Sequence, residues 1–535
     1  LFAGGALVSI DSAVFFYPVY HLLGERIGNG ELPLWNPSIL SGTPLLADPQ
    51  SGWLYLPVMV SFVFLPIWLA AIALSTIHIA LAAGGTFLLA RRLKLGRWGA
   101  AGAAVAFAGS GWFTTRLGCC PADIATAAFF PVAMLFVELG LHASSRRRRI
   151  AALIGAGFAM AQMLSAWMGQ GSYYGFLAIG GFLAYRTLID GAPAPWRQRL
   201  STLFVSGGVI GVVAGGLSAG GLLPRLEFLR HSSLADGYPI EVVGWKWWQS
   251  VERLLSPSSN YGGAVVIPLA LAGLIILRRQ AAAPYWGALI AWLFSLRTET
   301  PVHRLLYAIL PMFERVQEQL PNRIFMIAYL GLAMLAGGAI DRLPQWKPSY
   351  AERAVLLAGS LALIMLATMA EVTSLRYLLP LLLTIAIVLA VALLDVAWMR
   401  RISRWLPAVL VLAIVADLAL FAYQQTATQI ENRTQARVDL RSYYDPRPAS
   451  SFLMQATATD PGRFFGIDPS LAREGRNGAL LYGRQFFASR TAVLVVNNRA
   501  VVLGLEDIQG VDLPMKIARY DDFFTAINGG AQDYH

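Results

Sequence analysis

Asp11 is the residue whose position in the sequence best suits catalysis. It follows an apolar run that ends at Ile10, and it opens a stretch rich in Pro, Gly, Trp and Asn, residues 11–66, that we call loop one. A partly desolvated carboxylate at a helix mouth can accept a proton from an attacking hydroxyl group, as a general base does. A carboxylate in the same place can also serve only to solvate a helix end. From spacing alone, both interpretations stay open.

Two arginines later in the chain are candidates for binding a phosphate group. Arg315 and Arg323 flank the segment Val-Gln-Glu-Gln-Leu-Pro-Asn within a polar stretch, residues 297–322, and its border. Two guanidinium groups at a membrane surface can clamp a phosphate or diphosphate bidentately. They can equally extend towards lipid headgroups, so this alternative also stays open.

Further substrate-binding candidates are Asp48 and Gln50 in loop one and His231 in a second polar stretch, residues 224–262. His231 lacks a partner at the spacing of a metal-binding motif, so the sequence gives only weak support for a metal site there. Asp11 and Asp48 are carboxylates that could hold a divalent cation such as Mg²⁺ or Mn²⁺.

Other motifs are less specific. The run Trp245-Lys-Trp-Trp248 fits an aromatic belt at the membrane interface better than a platform for a sugar ring. Cys119 and Cys120 are adjacent, a geometry in which a disulfide is strained, so we predict neither a disulfide nor a metal site there. Walker, Rossmann and Gly-x-Ser-x-Gly signatures are absent from the sequence, which leaves nucleotide-driven cytoplasmic chemistry without support.

The composition indicates which elements must position these residues. Of 535 residues, 56% are hydrophobic and only 14% are charged, against about 25% charged in a soluble domain. Apolar runs of about 20 residues recur along the chain, and the many glycines suit helices that pack closely in lipid. We therefore predict an all-α polytopic membrane protein with about thirteen transmembrane helices.

The net charge of +11 is explained by basic residues in short loops, as the positive-inside rule requires. No soluble module combines basic and aromatic residues, so we do not expect nucleic acid as a partner. The charge pattern places the N-terminus in the cytoplasm and residues 11–66, 224–262 and 297–322 on the outer face. Leu1–Ile10 is then the end of a first helix. The other spans are predicted at 67–89, 98–115, 124–142, 150–168, 173–189, 201–223, 263–277, 284–296, 323–340, 354–370, 377–398 and 405–423.

The chain divides into a transmembrane domain, residues 1–423, and an outer domain, residues 424–535. The second part is more polar and has no run long enough to span a bilayer. Arg463–Ile467 and Thr491–Val496 have the composition of short strands, and Lys516–Ile527 has the pattern of an amphipathic helix. We predict a mixed α/β extracytoplasmic domain.

Several segments together resemble bacterial YfhO-type membrane proteins, which are placed among the GT-C glycosyltransferases. The loop-one motif is fairly specific, whereas each of the others is weak alone. The segments are Asp11 with Tyr17-Pro18, Gly30-Glu-Leu-Pro-Leu-Trp-Asn-Pro37, Gly42-Thr-Pro-Leu-Leu-Ala-Asp-Pro-Gln-Ser-Gly52, Tyr261-Gly-Gly263, Pro321-Asn-Arg323 and Gly504–Tyr520.

The resemblance implies a GT-C-like fold in the bacterial cytoplasmic membrane with a catalytic aspartate in the first outer loop, and Asp11 occupies that position. It implies a polyprenyl-phosphate-linked sugar as donor and a cell-envelope glycan, lipid or protein as acceptor. Two other interpretations stay open: a non-catalytic subunit that uses this scaffold in a membrane complex, and a lipid or sugar transporter. A transporter would show broken helices in two related halves, and the sequence has no such symmetry.

Overall fold

The computed structural model describes residues 6–9, 11–191, 194–233, 235, 247–256, 260–293, 301–310, 321–370, 372, 374–394, 404–431, 435–466, 473–474, 480–481, 495, 498–510 and 516–528. Arg315 lies outside these residues, as do Trp245, Lys246 and most of the strand predicted at Thr491–Val496.

Helices make up most of the described chain. In order they are α1 Tyr17–Gly28, α2 Leu56–Phe64, α3 Ile67–Arg92, α4 Arg97–Ala108, α5 Gly111–Leu117, α6 Pro121–Leu141, α7 Arg146–Ala166, α8 Gln170–Ala184, α9 Trp196–Arg230, α10 Trp247–Leu255, α11 Val266–Leu277, α12 Ala283–Trp292, α13 Pro301–Ile309, α14 Phe325–Arg342, α15 Tyr350–Met369, α16 Leu375–Leu393, α17 Leu406–Glu431, α18 Pro448–Thr459, α19 Arg499–Leu503 and α20 Ala518–Asn528.

The strands are short and form two-stranded pairs. Three pairs are antiparallel: β1 (Ala6–Ser9) with β4 (Gln435–Val438), β2 (Trp35–Asn36) with β3 (Thr43–Pro44), and β6 (Arg473–Glu474) with β7 (Leu480–Leu481). The fourth pair, β5 (Arg463–Phe464) with β8 (Glu506–Asp507), is parallel.

The prediction of a helical polytopic membrane protein is confirmed in its coarse form. Within the described residues, eight helices are long and apolar enough to cross a membrane: α3, α6, α7, α9, α14, α15, α16 and α17. The remaining predicted spans correspond to shorter or interrupted helices, namely α4 with α5, α8, α11 and α12. The count of about thirteen spans is therefore not established.

One predicted element and one predicted boundary are wrong. The run before Asp11 does not end a helix: Ala6–Ser9 is a strand that pairs with β4, because a short apolar run suits a strand as well as a helix. Helix α9 continues through Pro224 to Arg230, so the segment from residue 224 begins as helix rather than as loop.

Helix α14 forms the centre of the bundle. Every side chain from Phe325 to Ile340 is buried, and the helix packs against α4, α11 and α12. Close approach depends on glycine, because a Cβ at Gly99 of α4 would lie 2.4 Å from the Gly337 carbonyl oxygen of α14. Small residues at such contacts let helix backbones pack directly in lipid.

The C-terminal segments cover loop one. Leu40 and Ser41 donate backbone hydrogen bonds to the carbonyls of Gln509 and Asp507, at 3.1 and 3.2 Å. Tyr444 donates its hydroxyl to the Ala13 carbonyl at 2.7 Å. Helix α20 fits the predicted amphipathic helix. The mixed α/β outer domain stays a prediction in its details, since its described strands are only two to four residues long.

Candidate active site

Asp11 stands at the start of a π-helical turn, Ser12–Phe16, that leads directly into α1. Such turns within helices are frequent at functional sites. Ser12 donates its hydroxyl to the Cys119 carbonyl at 2.8 Å, and Ser9 donates its backbone N–H to the Gly118 carbonyl at 3.0 Å. The half-buried Asp11 carboxylate is thereby held beside the turn that joins α5 to α6, with Oδ2 at 3.4 Å from Cys119 Sγ.

The α5–α6 turn contains a disulfide, which the sequence analysis did not predict. Cys119 and Cys120 form a disulfide, with Sγ atoms 2.06 Å apart. Both backbone N–H groups donate to the Arg116 carbonyl, at 3.1 and 2.9 Å, which folds the turn tightly and brings the adjacent side chains together.

Two arginines meet on one carboxylate around the same turn. Arg116 Nε lies 3.4 Å from Asp123 Oδ2, and Arg323 Nε lies 3.2 Å from Asp123 Oδ1. Arg323 Nη1 also donates to Gln170 Oε1 at 3.4 Å. We call Arg116, Asp123, Gln170 and Arg323 the arginine cluster. Two guanidinium groups share a single carboxylate, so the cluster carries a surplus of one positive charge and suits an anion.

Aromatic rings support both guanidinium groups. The Arg116 guanidinium lies 4.5 Å from the centre of the Trp112 ring, and that of Arg323 lies 4.6 Å from the centre of Trp167. Arginine keeps its positive charge in proteins, so both guanidinium groups are cationic. Arg323 is the more open of the two, since 28% of its side chain is exposed against 12% for Arg116.

Local sequence signals explain why these side chains converge. Ser110 caps α5 by accepting a hydrogen bond from the Phe113 backbone, which separates α5 from α4 and places Arg116 at the helix end. Pro121 occupies the first turn of α6, as proline prefers. Asp123 follows in that turn, where a carboxylate is favoured by the helix dipole.

Two helices at the cluster, α6 and α14, are the most deeply buried of the candidate spans in the described residues. Buried residues make up 78% of the apolar window of α6 and 89% of that of α14. Arg323 lies in the 3₁₀ turn, Pro321–Ile324, that opens α14. The arginine cluster is therefore built from the end of α5, the starts of α6 and α8, and the turn that opens α14.

Asp48 and Gln50 share a turn elsewhere in loop one. The Gln50 backbone N–H donates to Asp48 Oδ1 at 2.6 Å, and both residues are buried. The fully buried Arg225 of α9 donates to the carbonyls of Asp48, Leu164 and Ser165 at 3.0–3.1 Å. Arg225 therefore fastens this turn to α7.

The Asp48 turn lies next to the support of the arginine cluster. Met168 donates its backbone N–H to the Pro49 carbonyl at 3.3 Å, and the neighbouring residue Trp167 underlies Arg323. His231, by contrast, is exposed at the end of α9, where its carbonyl accepts the Ala518 backbone N–H at 3.0 Å. Its described contacts dock α20. The substrate-binding roles of Asp48, Gln50, His231, Arg315 and Arg323 stay predictions.

The surroundings of Asp11 do not suit Mg²⁺ or Mn²⁺. In the described part of the chain, the potential metal ligands that lie within reach of one another are Asp11, Cys119 and Cys120. These cations require oxygen ligands, whereas this group offers one carboxylate and two sulfur atoms that are bonded to each other. The divalent cation stays a prediction.

Sequence reasoning missed Arg116 and Asp123 as members of a site because it treated residues 116–123 as a short connecting loop. The available signal was a pair of opposite charges bordering Cys119-Cys-Pro121 between two apolar helices. Ionisable residues in such surroundings are costly and generally serve a function.

No protein-family model and no curated protein matches this sequence. One similar solved structure is the arabinofuranosyltransferase AftD from Mycobacteria, at 14% identity and a TM-score of 0.47, over 86% of this chain and 28% of AftD. Another is ArnT from Cupriavidus metallidurans bound to undecaprenyl phosphate, at 16% identity and 0.49, over 94% of this chain and 86% of ArnT.

A third similar structure is the Archaeoglobus fulgidus oligosaccharyltransferase, at 14% identity and a TM-score of 0.44, over 86% of this chain and 55% of that protein. The chain thus spans about a quarter of the length of AftD and about half that of the oligosaccharyltransferase. With TM-scores below 0.5, these likenesses determine neither the fold nor the function of this chain.

Proposed function

We propose that this chain is a membrane glycosyltransferase that moves a sugar from a polyprenyl-phosphate-linked donor to a cell-envelope glycan, lipid or protein. The observation that carries the proposal is the position of Asp11 and the arginine cluster around one turn, Gly118–Cys120. A candidate general base and a candidate anion site are the two groups that such a transfer needs. The YfhO-type resemblance of loop one supports the same reaction class.

In the proposed reaction, Asp11 accepts the proton of the acceptor hydroxyl as its oxygen attacks C1 of the sugar. The new C1–O bond forms with inversion while the bond from C1 to the phosphate oxygen breaks. Polyprenyl phosphate leaves with the bonding electron pair. Arg116 and Arg323 stabilise the negative charge that develops on its phosphate, and Asp11 later releases its proton to water.

The proposed orientation places loop one outside the bacterial cytoplasmic membrane, because the basic connections lie at the other ends of the spans. A lipid-linked donor suits that face, since the polyprenyl chain can lie between helices while the sugar meets the loop.

The test is sugar transfer by the purified chain in proteoliposomes, with polyprenyl-phosphate hexoses and pentoses labelled in the sugar and a bacterial envelope extract as acceptor. We expect Asp11→Asn to lower the transfer rate by at least about 100-fold, because the base is lost. Glu25→Gln, at an exposed position of α1, is the matched control and should leave the rate unchanged.

Full activity of the Asp11→Asn protein would contradict the base assignment. Sugar-lipid flux across the vesicles without transfer would favour a transporter. Stable co-purification with a larger complex, together with a neutral Asp11→Asn change, would favour a non-catalytic subunit.

A further inference from the structure

A cavity of about 550 Å³ lies at the end of the bundle opposite to loop one, within the usual size range of ligand pockets. It opens between the C-terminal ends of α3, α6 and α14, the turn that follows α8, and the connection from α11 to α12. Its lining residues are Arg92, Leu93, Lys94, Leu95, Glu138, His142, Arg186, Asp190, Leu277, Arg279, Gln280, Ala281 and Arg342.

The charges at this cavity do not balance. Five basic side chains face two carboxylates, which leaves a surplus of three positive charges before His142 is counted. The basic residues come from four separate segments of the chain. Snorkelling towards the bilayer surface would place such side chains around the rim of the protein, whereas here they converge on one concave surface.

The two carboxylates that line the cavity, Glu138 and Asp190, both pair with Arg186. Buried Glu138 accepts hydrogen bonds from Arg186 Nε and Nη2 at 2.9 and 2.8 Å, and Asp190 pairs with Nη1 of the same arginine. His142 Nδ1 lies 3.1 Å from Glu138 Oε1. Both carboxylates are therefore ion-paired with Arg186.

The remaining basic residues are left to face the cavity. Arg342 Nε lies 3.7 Å from Oδ2 of the neighbouring Asp341, so this ion pair is weak. Among the described residues, Arg92, Lys94 and Arg279 have no ion pair with a carboxylate, and all three are exposed. A phosphate group could meet several of them at once.

Backbone strain accumulates in the same connections. Lys94, Ala281 and Ala282 have φ values of 68°, 48° and 59°, in the left-handed region that residues with a Cβ adopt at a cost. Strained non-glycine residues cluster at binding sites, where the surrounding structure maintains them. Here the strained turns fold two connections over the cavity.

This cavity is separate from the arginine cluster. Asp123 in the first turn of α6 and Glu138 in its last turn are about 22 Å apart along the helix. We propose that the cavity is a second site that binds a phosphate group, carried by a phospholipid headgroup or by a soluble phosphate compound. The proposal does not depend on glycosyl transfer at the other end.

The first test measures lipid binding by native mass spectrometry of the delipidated full chain in detergent. Dioleoyl phosphatidylglycerol and dioleoyl phosphatidylcholine are offered at equal concentration. We expect a preference for the phosphatidylglycerol, and we expect the Arg92→Gln/Arg279→Gln protein to lose about tenfold in its affinity. The matched control is Arg146→Gln/Arg147→Gln, at exposed positions of α7 outside the cavity, which should change affinity less than twofold.

The second test measures thermal unfolding in sodium phosphate and in sodium chloride at equal ionic strength. Stabilisation by phosphate that the double variant lacks indicates a soluble ligand. A lipid preference without such stabilisation indicates a headgroup, and both outcomes support the site. The single variants Arg92→Gln and Arg279→Gln repeat both tests if the double variant does not fold.

Equal lipid and phosphate binding by the cavity and control variants would overturn the proposal. The absence of any phosphate or phosphatidylglycerol preference in the unmodified chain would overturn it as well.

Discussion

The two ends of α6 carry similar groups in opposite proportions. At the loop-one end, one carboxylate, Asp123, is shared by two arginines. At the other end, one arginine, Arg186, is shared by the carboxylates of Glu138 and Asp190. The first arrangement retains positive charge next to the half-buried Asp11, whereas the second is closed on itself and leaves the surplus charge to exposed side chains around it.

This difference suggests two roles for the arginines: those at the loop-one end hold a substrate in a fixed position, and those at the other end only attract a charged group. The guanidinium groups of Arg116 and Arg323 lie over tryptophan rings. Arg116 is in the last turn of α5, and Arg323 is in the turn that opens the buried helix α14. This placement suits a reaction with fixed geometry. Arg92 and Arg279 are exposed and long, which suits a charged group that need only be held. The following predictions test this contrast, beginning with the largest expected effect.

The ion pair between Glu138 and Arg186 should contribute mainly to stability. Arg186→Met leaves Glu138, with only 4% of its side chain exposed, without its bidentate partner. We expect a loss of about 3–5 kcal/mol in the free energy of unfolding, measured by chemical denaturation in detergent. The control is Arg278→Gln, which breaks the pair with Glu352 at a side chain that is 71% exposed and should cost at most about 1 kcal/mol. Equal losses in both proteins would contradict the assignment.

The loop-one end should behave as a site for transfer. We expect Arg323→Gln to lower the transfer rate by about 100-fold, because a donor to the leaving phosphate is lost. Arg323→Lys should recover only part of the rate, since an ammonium group lacks the planar fork of a guanidinium. Arg230→Gln, at the exposed end of α9, is the matched control. A rate for Arg323→Gln equal to that of this control would remove Arg323 from the mechanism.

Asp123 should weaken the binding of a lipid phosphate while it stabilises the fold. Asp123→Asn leaves two arginines without their shared carboxylate and should cost about 1–3 kcal/mol in the free energy of unfolding. Affinity for undecaprenyl phosphate should rise, because the charge surplus of the cluster increases from one to two. Calorimetric titration of the lipid in detergent micelles measures this change. Unchanged or weaker binding would show that the cluster does not contact the phosphate.

The smallest effect concerns the segment that covers loop one. Burial raises the pKa of Asp507 well above its usual value, with hydrogen bonds from the Gln509 and Ile508 backbones opposing the shift. The folded chain therefore holds a proton that the unfolded chain releases above about pH 4. The resulting stability is present at low pH and is lost as pH rises through the folded pKa.

Asp507→Asn keeps the acceptor for the Gln509 backbone and cannot ionise. We expect it to raise the free energy of unfolding by about 1 kcal/mol at pH 8 and to reduce the pH dependence of unfolding between pH 4 and 8. Asp460→Asn, at an exposed position after α18, is the control. Identical pH profiles for Asp507→Asn and the unmodified chain would contradict the raised pKa.

The sequence by itself determined the membrane class and the position of most helices, since apolar periodicity and basic loops reflect the local demands of a bilayer. It also marked loop one, Asp11 and Arg323 as candidates. It did not reveal that residues 6–9 form a strand, because the partner strand lies more than 400 residues later.

Only the tertiary structure decided which charges meet. Arg116, Asp123 and Arg323 converge because the end of α5 lies beside the starts of α6 and α14, and Arg225 reaches loop one from the last part of α9. Hydrophobic pattern specifies which face of a helix is buried. It does not specify which helix ends become neighbours, because that depends on packing between segments far apart in the chain.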